Sequence, residues 1–265
     1  MLGERIKLVL MDNKLSDEQR RNLQLQILDE IDELCKQNGI KYSLAYGTLL
    51  GAVRHHGFIP WDDDVDIMMP YHDMIKFKEC LNSELIEFID ADNNNQFEWF
   101  FSRIASKKTY SKPGKYIQSY GVNVDLYPIV NVLDDERIID NYLIEGQRLN
   151  ALANNSIKWQ RRAAKYLSLK TIPTFRHNVL KLRAHVYQYK DESSSIFFST
   201  GGSFKRFNIF DFDFFNELDN IVFEGRQYSA IKEFDKYLSQ IYGEYMTPPP
   251  EDKRIPYHGG VYYWK

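Results

Sequence analysis

Apolar residues at Leu23, Ile27, Ile31, Leu34 and Cys35 recur at the spacing of one helix face. Ahead of them stand Ser16, a capping hydroxyl, and Asp17 and Glu18, acids suited to the positive end of a helix dipole; Asn38-Gly39 closes the segment. Ile40 to Tyr46 has strand character and ends at Gly47, and Thr48 to Arg54 reads as a short helix or turn. Gly57 and Pro60 mark a loop, after which Asp64 to Met69 alternates as a strand does. The pattern then predicts a helix from Pro70 to about Leu81 and strands near Leu85–Ile89 and Phe97–Ile104. A loop from Lys107 to Lys115 around Pro113-Gly114 leads to a strand from Val122 to Ile129. Leu133 to about Tyr189 is mostly helical. The tail holds a helix from about Ala230 to Tyr242, stopped by Gly243, and the loop Thr247-Pro248-Pro249-Pro250. No repeat or low-complexity linker interrupts the chain. One domain over 1–265 is expected, with a core of about 16–130, a helical basic insertion of about 131–200 and a C-terminal segment of about 201–265.

Length and composition add few constraints. The 265 residues suffice for a full core, and 43% hydrophobic with 27% charged residues is ordinary for a globular protein. A net charge of −3 gives no global attraction to nucleic acid. Cys35 and Cys80 match no disulfide framework and no zinc spacing, which fits a reducing compartment. Met1 to Met11 resembles neither a cleavable signal nor a membrane span, so a cytoplasmic location is expected. One local imbalance stands out. Between Glu145 and Asp191 there is no acid, while Arg148, Lys158, Arg161, Arg162, Lys165, Lys170, Arg176, Lys181, Arg183 and Lys190 are all basic. This 146–190 stretch suits peripheral contact with an anionic membrane, a polyanionic acceptor, or a solvated face whose acids lie elsewhere.

The chemistry concentrates in Asp62, Asp63, Asp64 and Asp66, four carboxylates in five positions. Such a cluster repels itself, and a hard divalent cation, Mg²⁺ or Mn²⁺, relieves it. On a strand, Asp64 and Asp66 would share one face while Val65 and Ile67 pack inward. Gly47-Thr48 just upstream would let a phosphate approach the backbone at a helix start. Asp125 is a lone acid in an apolar strand, costly to bury unless it binds metal or pairs with an Arg or Lys. A calcium loop is disfavoured by the spacing, and the second Asp-x-Asp, Asp211-Phe212-Asp213, lacks the upstream turn and reads as a surface turn.

The run from Tyr46-Gly47-Thr48 through Gly51, Arg54, Gly57 and Pro60 to Trp61-Asp62-Asp63-Asp64-Val65-Asp66-Ile67 resembles the signature of the LicD family. That family comprises bacterial phosphocholine transferases related to fukutin and fukutin-related protein, within the nucleotidyltransferase-fold superfamily. The resemblance continues in Val124-Asp125-Leu126-Tyr127-Pro128, Phe223-Glu224-Gly225, Tyr242-Gly243-Glu244-Tyr245-Met246 and Pro248-Pro249 up to His258; about 131–215 carries no matching motif. It implies an α+β fold with a nucleotidyltransferase-like mixed sheet flanked by helices. It also implies metal ligands at Asp64, Asp66 and Asp125, and a CDP-linked donor such as CDP-choline. The acceptor it implies is a hydroxyl on a glycan, lipid-linked glycan, teichoic acid or lipopolysaccharide precursor.

Around this centre, Arg54 is expected to clamp donor phosphate or to pair with an aspartate. Trp61 would stack on the cytosine or anchor its loop, while His55 and His56 read as loop residues. Lys253, Arg254 and His258 follow a proline-stiffened loop; they would bind phosphate, with His258 moving a proton, or be surface charge. Asp125 is a candidate base as well as a ligand. The competing readings are a nucleotidyltransferase releasing pyrophosphate, an Asp-x-Asp glycosyltransferase, and a non-catalytic glycan- or nucleotide-binding module.

Overall fold

Ser16 starts the first helix as its sequence requires: its Oγ accepts from the Gln19 amide at 3.1 Å, and the Gln19 side chain accepts from the Ser16 amide at 2.9 Å. This helix, α1 (Asp17–Asn38), buries Leu23, Ile27, Leu28, Ile31 and Cys35 and ends at Gly39. The computed structural model describes residues 13–111, 119–167, 173–201, 203–211, 215–255 and 260–265. Within the sequence expectations, the start at 1–12, Pro113-Gly114, Leu169, Lys170, Phe212, Asp213 and His258 lie outside the described residues.

The elements following α1 are β1 (Ser43–Leu44), α2 (Tyr46–His55), β2 (Asp66–Pro70), α3 (Tyr71–Cys80), β3 (Ile86–Ile89), β4 (Ser102–Ser106), β5 (Thr109–Ser111) and β6 (Asn123–Val132). A mixed sheet in the order β1-β2-β6-β4-β3 forms the centre, with β2 and β6 parallel and the other pairs antiparallel. Ile67, Met68 and Met69 of β2 are all fully buried. Their unbroken apolar run marks a strand covered on both faces. Each such side chain contributes roughly 1.5–3 kcal/mol by leaving water. The second half of β6 pairs with β7 (Ile196–Ser199), which pairs in turn with β8 (Ile209–Phe210). The result is the expected α+β architecture with a mixed sheet.

The helical stretch resolves into α4 (Glu136–Leu167) and α5 (Pro173–Val186), packed together and against β6 and β7 through Tyr142, Leu149, Leu182, Val186 and Phe198. The tail differs from its expectation. Arg226–Ile231 is a strand, β10, paired antiparallel with β9 (Leu218–Phe223), and the helix α6 covers only Phe234–Tyr242. The hairpin turn is Glu224-Gly225, both at positive φ (52° and 72°), as a two-residue turn matching strand twist demands. No strand was expected over Leu218–Phe223, so Ala230 and Ile231 read as the start of the following helix. Two further expectations shift, the first because the pairing partner lies far along the chain and the second because a helix starts early. The loop predicted from Lys107 contains β5, which pairs with β11 (Tyr262–Trp264), and the strand predicted over Ile40–Tyr46 shrinks to Ser43–Leu44 because α2 already begins at Tyr46.

Candidate active site

The parallel pairing of β2 and β6 sets Asp66 directly opposite Asp125. Strand β2 begins at Asp66, so Asp64 sits in the extended segment before it, and the strand-period argument for Asp64 and Asp66 does not apply as expected. The charges of Asp64 and Asp125 still act on Asp66. Burial pushes Asp66 well above the usual carboxylate range, and Asp64, Asp125 and Asp62, in that order, push it further. Asp66 is 7% exposed, and its Oδ1 has no hydrogen-bond partner among the described residues. Asp62, Asp63 and Asp64 each bring one carboxylate oxygen within 4.8 Å of the others. Asp62 is raised to about 7 by burial, by the Asp64 charge and by a hydrogen bond with Asp64. A small cavity of about 20 Å³ is walled by Asp63, Asp64, Asp125, Arg103, Asn123 and Gln24. That is room for a single water or ion.

A second reading of Asp125 also holds. The Arg103 guanidinium donates to both its oxygens, Nε to Oδ1 at 2.7 Å and Nη2 to Oδ2 at 3.1 Å, and the Asn123 amide adds a third bond at 2.6 Å. Arg103 is itself buried; burial opposes its charge, but Asp125 and Tyr120 hold its pKa well above the usual range. Asp125 is thus an ion-paired acid that still faces the same cavity as Asp64.

Several side chains that sequence reasoning assigned to substrate also make contacts that build the loop that carries the acids. The Thr48 hydroxyl accepts from the Asp66 amide at 2.8 Å and so fixes the start of β2. A Cβ on Gly47 would meet Asp62 Oδ2 at 2.6 Å, so the glycine leaves room for the carboxylate rather than for a phosphate at that point. Arg54 forms no ion pair with an aspartate among the described residues; its Nη1 donates to the Tyr245 carbonyl at 2.6 Å and ties α2 to the tail. Trp61 packs against the core with His55 at its edge (6.0 Å) and the Arg254 guanidinium over its ring (5.2 Å), so it anchors its loop. Arg254 also donates from Nε to the Pro249 carbonyl at 2.8 Å, whereas Lys253 is exposed on a short 3-10 turn.

Sequence reasoning missed the clamp on the other side. Arg20 and Gln24 of α1 both donate to the Asp63 carbonyl, and Arg21 donates to the Pro60 and Asp62 carbonyls at 3.2 Å. A polar run Glu18-Gln19-Arg20-Arg21 on a helix otherwise read for its apolar face was the only signal. Glu224 was likewise unassigned: its carboxylate accepts from the Phe58 amide at 2.9 Å, and its own amide donates to the His56 carbonyl at 3.0 Å. The Phe223-Glu224-Gly225 motif therefore locks the loop leading to Trp61 and Asp62. Tyr46, at φ +42°, adopts a backbone conformation rare for a bulky residue. Its hydroxyl bonds Ser199 at 2.5 Å, and a Cβ on Gly201 would collide with that phenol at 2.0 Å. Tyr242 is 42% exposed, yet burial of its hydroxyl and then Asp66, Tyr46, Asp62 and Asp64 push it well above the usual tyrosine range.

Beside the acids opens a cavity of about 590 Å³ lined by Lys14, Arg20, Arg21, Trp61, Asp62, Asp63 and Tyr262. Asp63 and Tyr262 also line the small acidic cavity, so the two adjoin. Residues 39–151 match the family described as LicD/FKTN/FKRP, nucleotidyltransferase domain, a span holding every acid of the cluster. Residues 39–151 thus match a LicD-family domain. Among its relatives, the lipopolysaccharide cholinephosphotransferase LicD of Haemophilus influenzae is 27% identical over 259 residues, covering 92% of this chain and 97% of that protein. The ribitol 5-phosphate transferase FKRP of Homo sapiens is 31% identical over 93 residues, 34% of this chain and 17% of its own. An uncharacterized protein of Rickettsia typhi is 50% identical over 56 residues, 21% of this chain and 18% of its own.

Proposed function

We propose that this chain is a LicD-family, metal-dependent transferase. It moves a phosphorylated group, phosphocholine first among the candidates, from a CDP-linked donor to a hydroxyl of a cell-surface glycan or lipid-linked glycan. The reaction class is supported by its relatives, one a cholinephosphotransferase and the other a ribitol 5-phosphate transferase. The catalytic unit on this reading is a nucleotidyltransferase-like core of about 16–130 completed by the tail, with the helical insertion attached to it.

The observation that carries the metal reading is the bare, buried Asp66 Oδ1 among Asp62, Asp64 and Asp125. A carboxylate buried against three others is strongly disfavoured as an anion unless a cation joins it. Hard oxygen donors and a chamber for one ion fit Mg²⁺ or Mn²⁺. Asp64, Asp66 and Asp125 would hold it, with Asp62 and Asp63 at its edge. A divalent ion there supplies neutralisation of the donor diphosphate.

The chain's own residues do the rest. Arg21, Lys14 and Trp61 line the larger cavity, where cations and an aromatic face suit a nucleotide diphosphate. Arg254, stacked on Trp61, adds a further positive charge beside it. The acceptor hydroxyl oxygen attacks the phosphorus of the transferred group, and its proton passes to a carboxylate of the cluster. The bond from that phosphorus to the CMP oxygen breaks, and CMP leaves. Arg103 keeps Asp125 oriented toward the chamber by its two-point contact.

Screening CDP-choline, CDP-ribitol and CDP-glycerol for CMP release with Mg²⁺ or Mn²⁺ tests the reading. CMP release that requires the metal and is lost in Asp66→Asn is the expected result. Pyrophosphate release from a nucleoside triphosphate would replace it with nucleotidyl transfer.

A further inference from the structure

The cations concentrated between 146 and 190 fall into two sets. Arg161 reaches Glu98 at 2.5 Å, Arg183 reaches Asp92 at 2.8 Å and Asp90 at 3.2 Å, and Arg176 donates to the Ala91 and Asn94 carbonyls. These bind the helical pair to the β3–β4 region. Lys158 and Arg162 of α4 are exposed instead, and neither forms an ion pair among the described residues. On the same helix Ile144 and Trp159 are each 65% exposed and Leu152 is 40% exposed. At 3.6 residues per turn, Ile144, Arg148, Leu152, Lys158, Trp159 and Arg162 lie within about 120° of the helix circumference. The other side of α4 buries Tyr142, Leu149, Ala153 and Ile157, so the helix has spent its inward face on the core. Its outward face is apolar and cationic together. The Arg162 guanidinium lies 5.6 Å from the centre of the Trp159 ring, so charge and indole form one patch.

We propose that this outward face of α4 docks the protein on an anionic lipid bilayer. Charge complementarity decides the partner's sign: Glu145 at its edge is already paired with Arg148 at 2.6 Å, and Asp140 at its N-terminal end with Arg206 at 3.6 Å. The apolar residues decide its nature. A soluble polyanion would satisfy Lys158 and Arg162 but leave Ile144 and Trp159 in water, whereas a bilayer interface accepts an indole and an aliphatic side chain below the level of its phosphates. No helix among the described residues is long and apolar enough to cross a membrane, so the contact lies in the plane of the interface. This inference stands independently of the transferase reading.

Co-sedimentation of the full chain with phosphatidylcholine vesicles, with and without phosphatidylglycerol, tests it. Binding is expected only with the anionic lipid and should weaken as salt rises. Lys158→Gln with Arg162→Gln should weaken partitioning roughly 30-fold, about fivefold per charge. Ile144→Ser with Trp159→Ser, charges intact, should weaken it on the order of 10-fold. Brominated lipid should quench the wild-type tryptophan fluorescence, and Trp159→Phe should abolish most of that quenching. Equal binding to neutral and anionic vesicles, or no binding, would overturn the proposal. So would binding that the serine variant leaves intact while polyphosphate competes fully, the mark of a polyanion surface. Because all the altered residues are exposed, an unchanged melting temperature accompanies each informative variant.

Discussion

Asp66 and Asp90 are both buried aspartates, 7% and 1% exposed, and their surroundings are opposite. Asp90 accepts from Lys78 at 2.8 Å, from Arg183 at 3.2 Å and from the Asp92 and Asn93 amides at 2.9 Å. Burial raises its pKa, but Lys78, Arg183 and the backbone bonds outweigh that and hold it below the usual carboxylate range. Asp66 is also buried, but the charges of Asp64, Asp125 and Asp62 outweigh that of Arg103, and one of its oxygens is bare. The first site is complete as folded and serves structure. The second keeps unrelieved acid repulsion around a bare oxygen, and on the proposed function a cation from outside would complete it.

Substitutions at the two positions should therefore fail in different ways. The largest expected effect is on turnover: Asp66→Ala should lower metal-dependent CMP release by about 10³-fold, the equivalent of several kcal/mol of charge stabilisation, while leaving the metal-free fold at least as stable as wild type. If metal-free melting instead fell sharply, Asp66 would belong with Asp90. Asp90→Ala should do the reverse, costing about 3–5 kcal/mol in urea unfolding because the buried Arg183 keeps only the exposed Asp92 as an acid partner.

The pH response separates the two sites next. Folding raises Asp62 to about 7 and Asp66 above the usual range, so both contribute stability that is present at low pH and declines as pH rises, the Asp62 part being lost as pH passes from the usual carboxylate range through about 7. Folding lowers Asp90, so its contribution is present above the usual carboxylate range and lost as pH falls below it. Between pH 5.5 and 8 the metal-free protein should lose melting temperature, and Mn²⁺ should restore more of it at pH 8, up to about 2.7 kcal/mol at a hundred times Kd. Asp62→Asn should flatten the decline. A smaller effect is expected at Glu224→Ala, which frees the Phe58 amide: about 10-fold in metal affinity or activity, and about 1 kcal/mol in stability.

The chain disclosed the acids and their order but not their supports. A strand can be read from local alternation, and β2, β3 and much of β6 were; β7 and β8 exist through pairing with distant partners and leave a weak local trace. Asp64, Asp66 and Asp125 were legible because charge in an apolar setting needs a cause. Arg20, Gln24 and Glu224 were not, because they act through carbonyls and amides of residues far along the chain, and polar side chains on a helix or turn look alike until the fold brings a backbone group to them. Arg54 and Thr48 lie within the signature for the same reason: they hold the acidic loop in place through Tyr245 and Asp66.

Crystals soaked in Mn²⁺ and measured for anomalous scattering put the central idea to its most direct trial. A peak about 2.1 Å from Asp66 Oδ1, shared with Asp64 and with Asp125 in the chamber beside Arg103, is the predicted result. Density for manganese only on exposed acids, with Asp66 Oδ1 still bare, would contradict it.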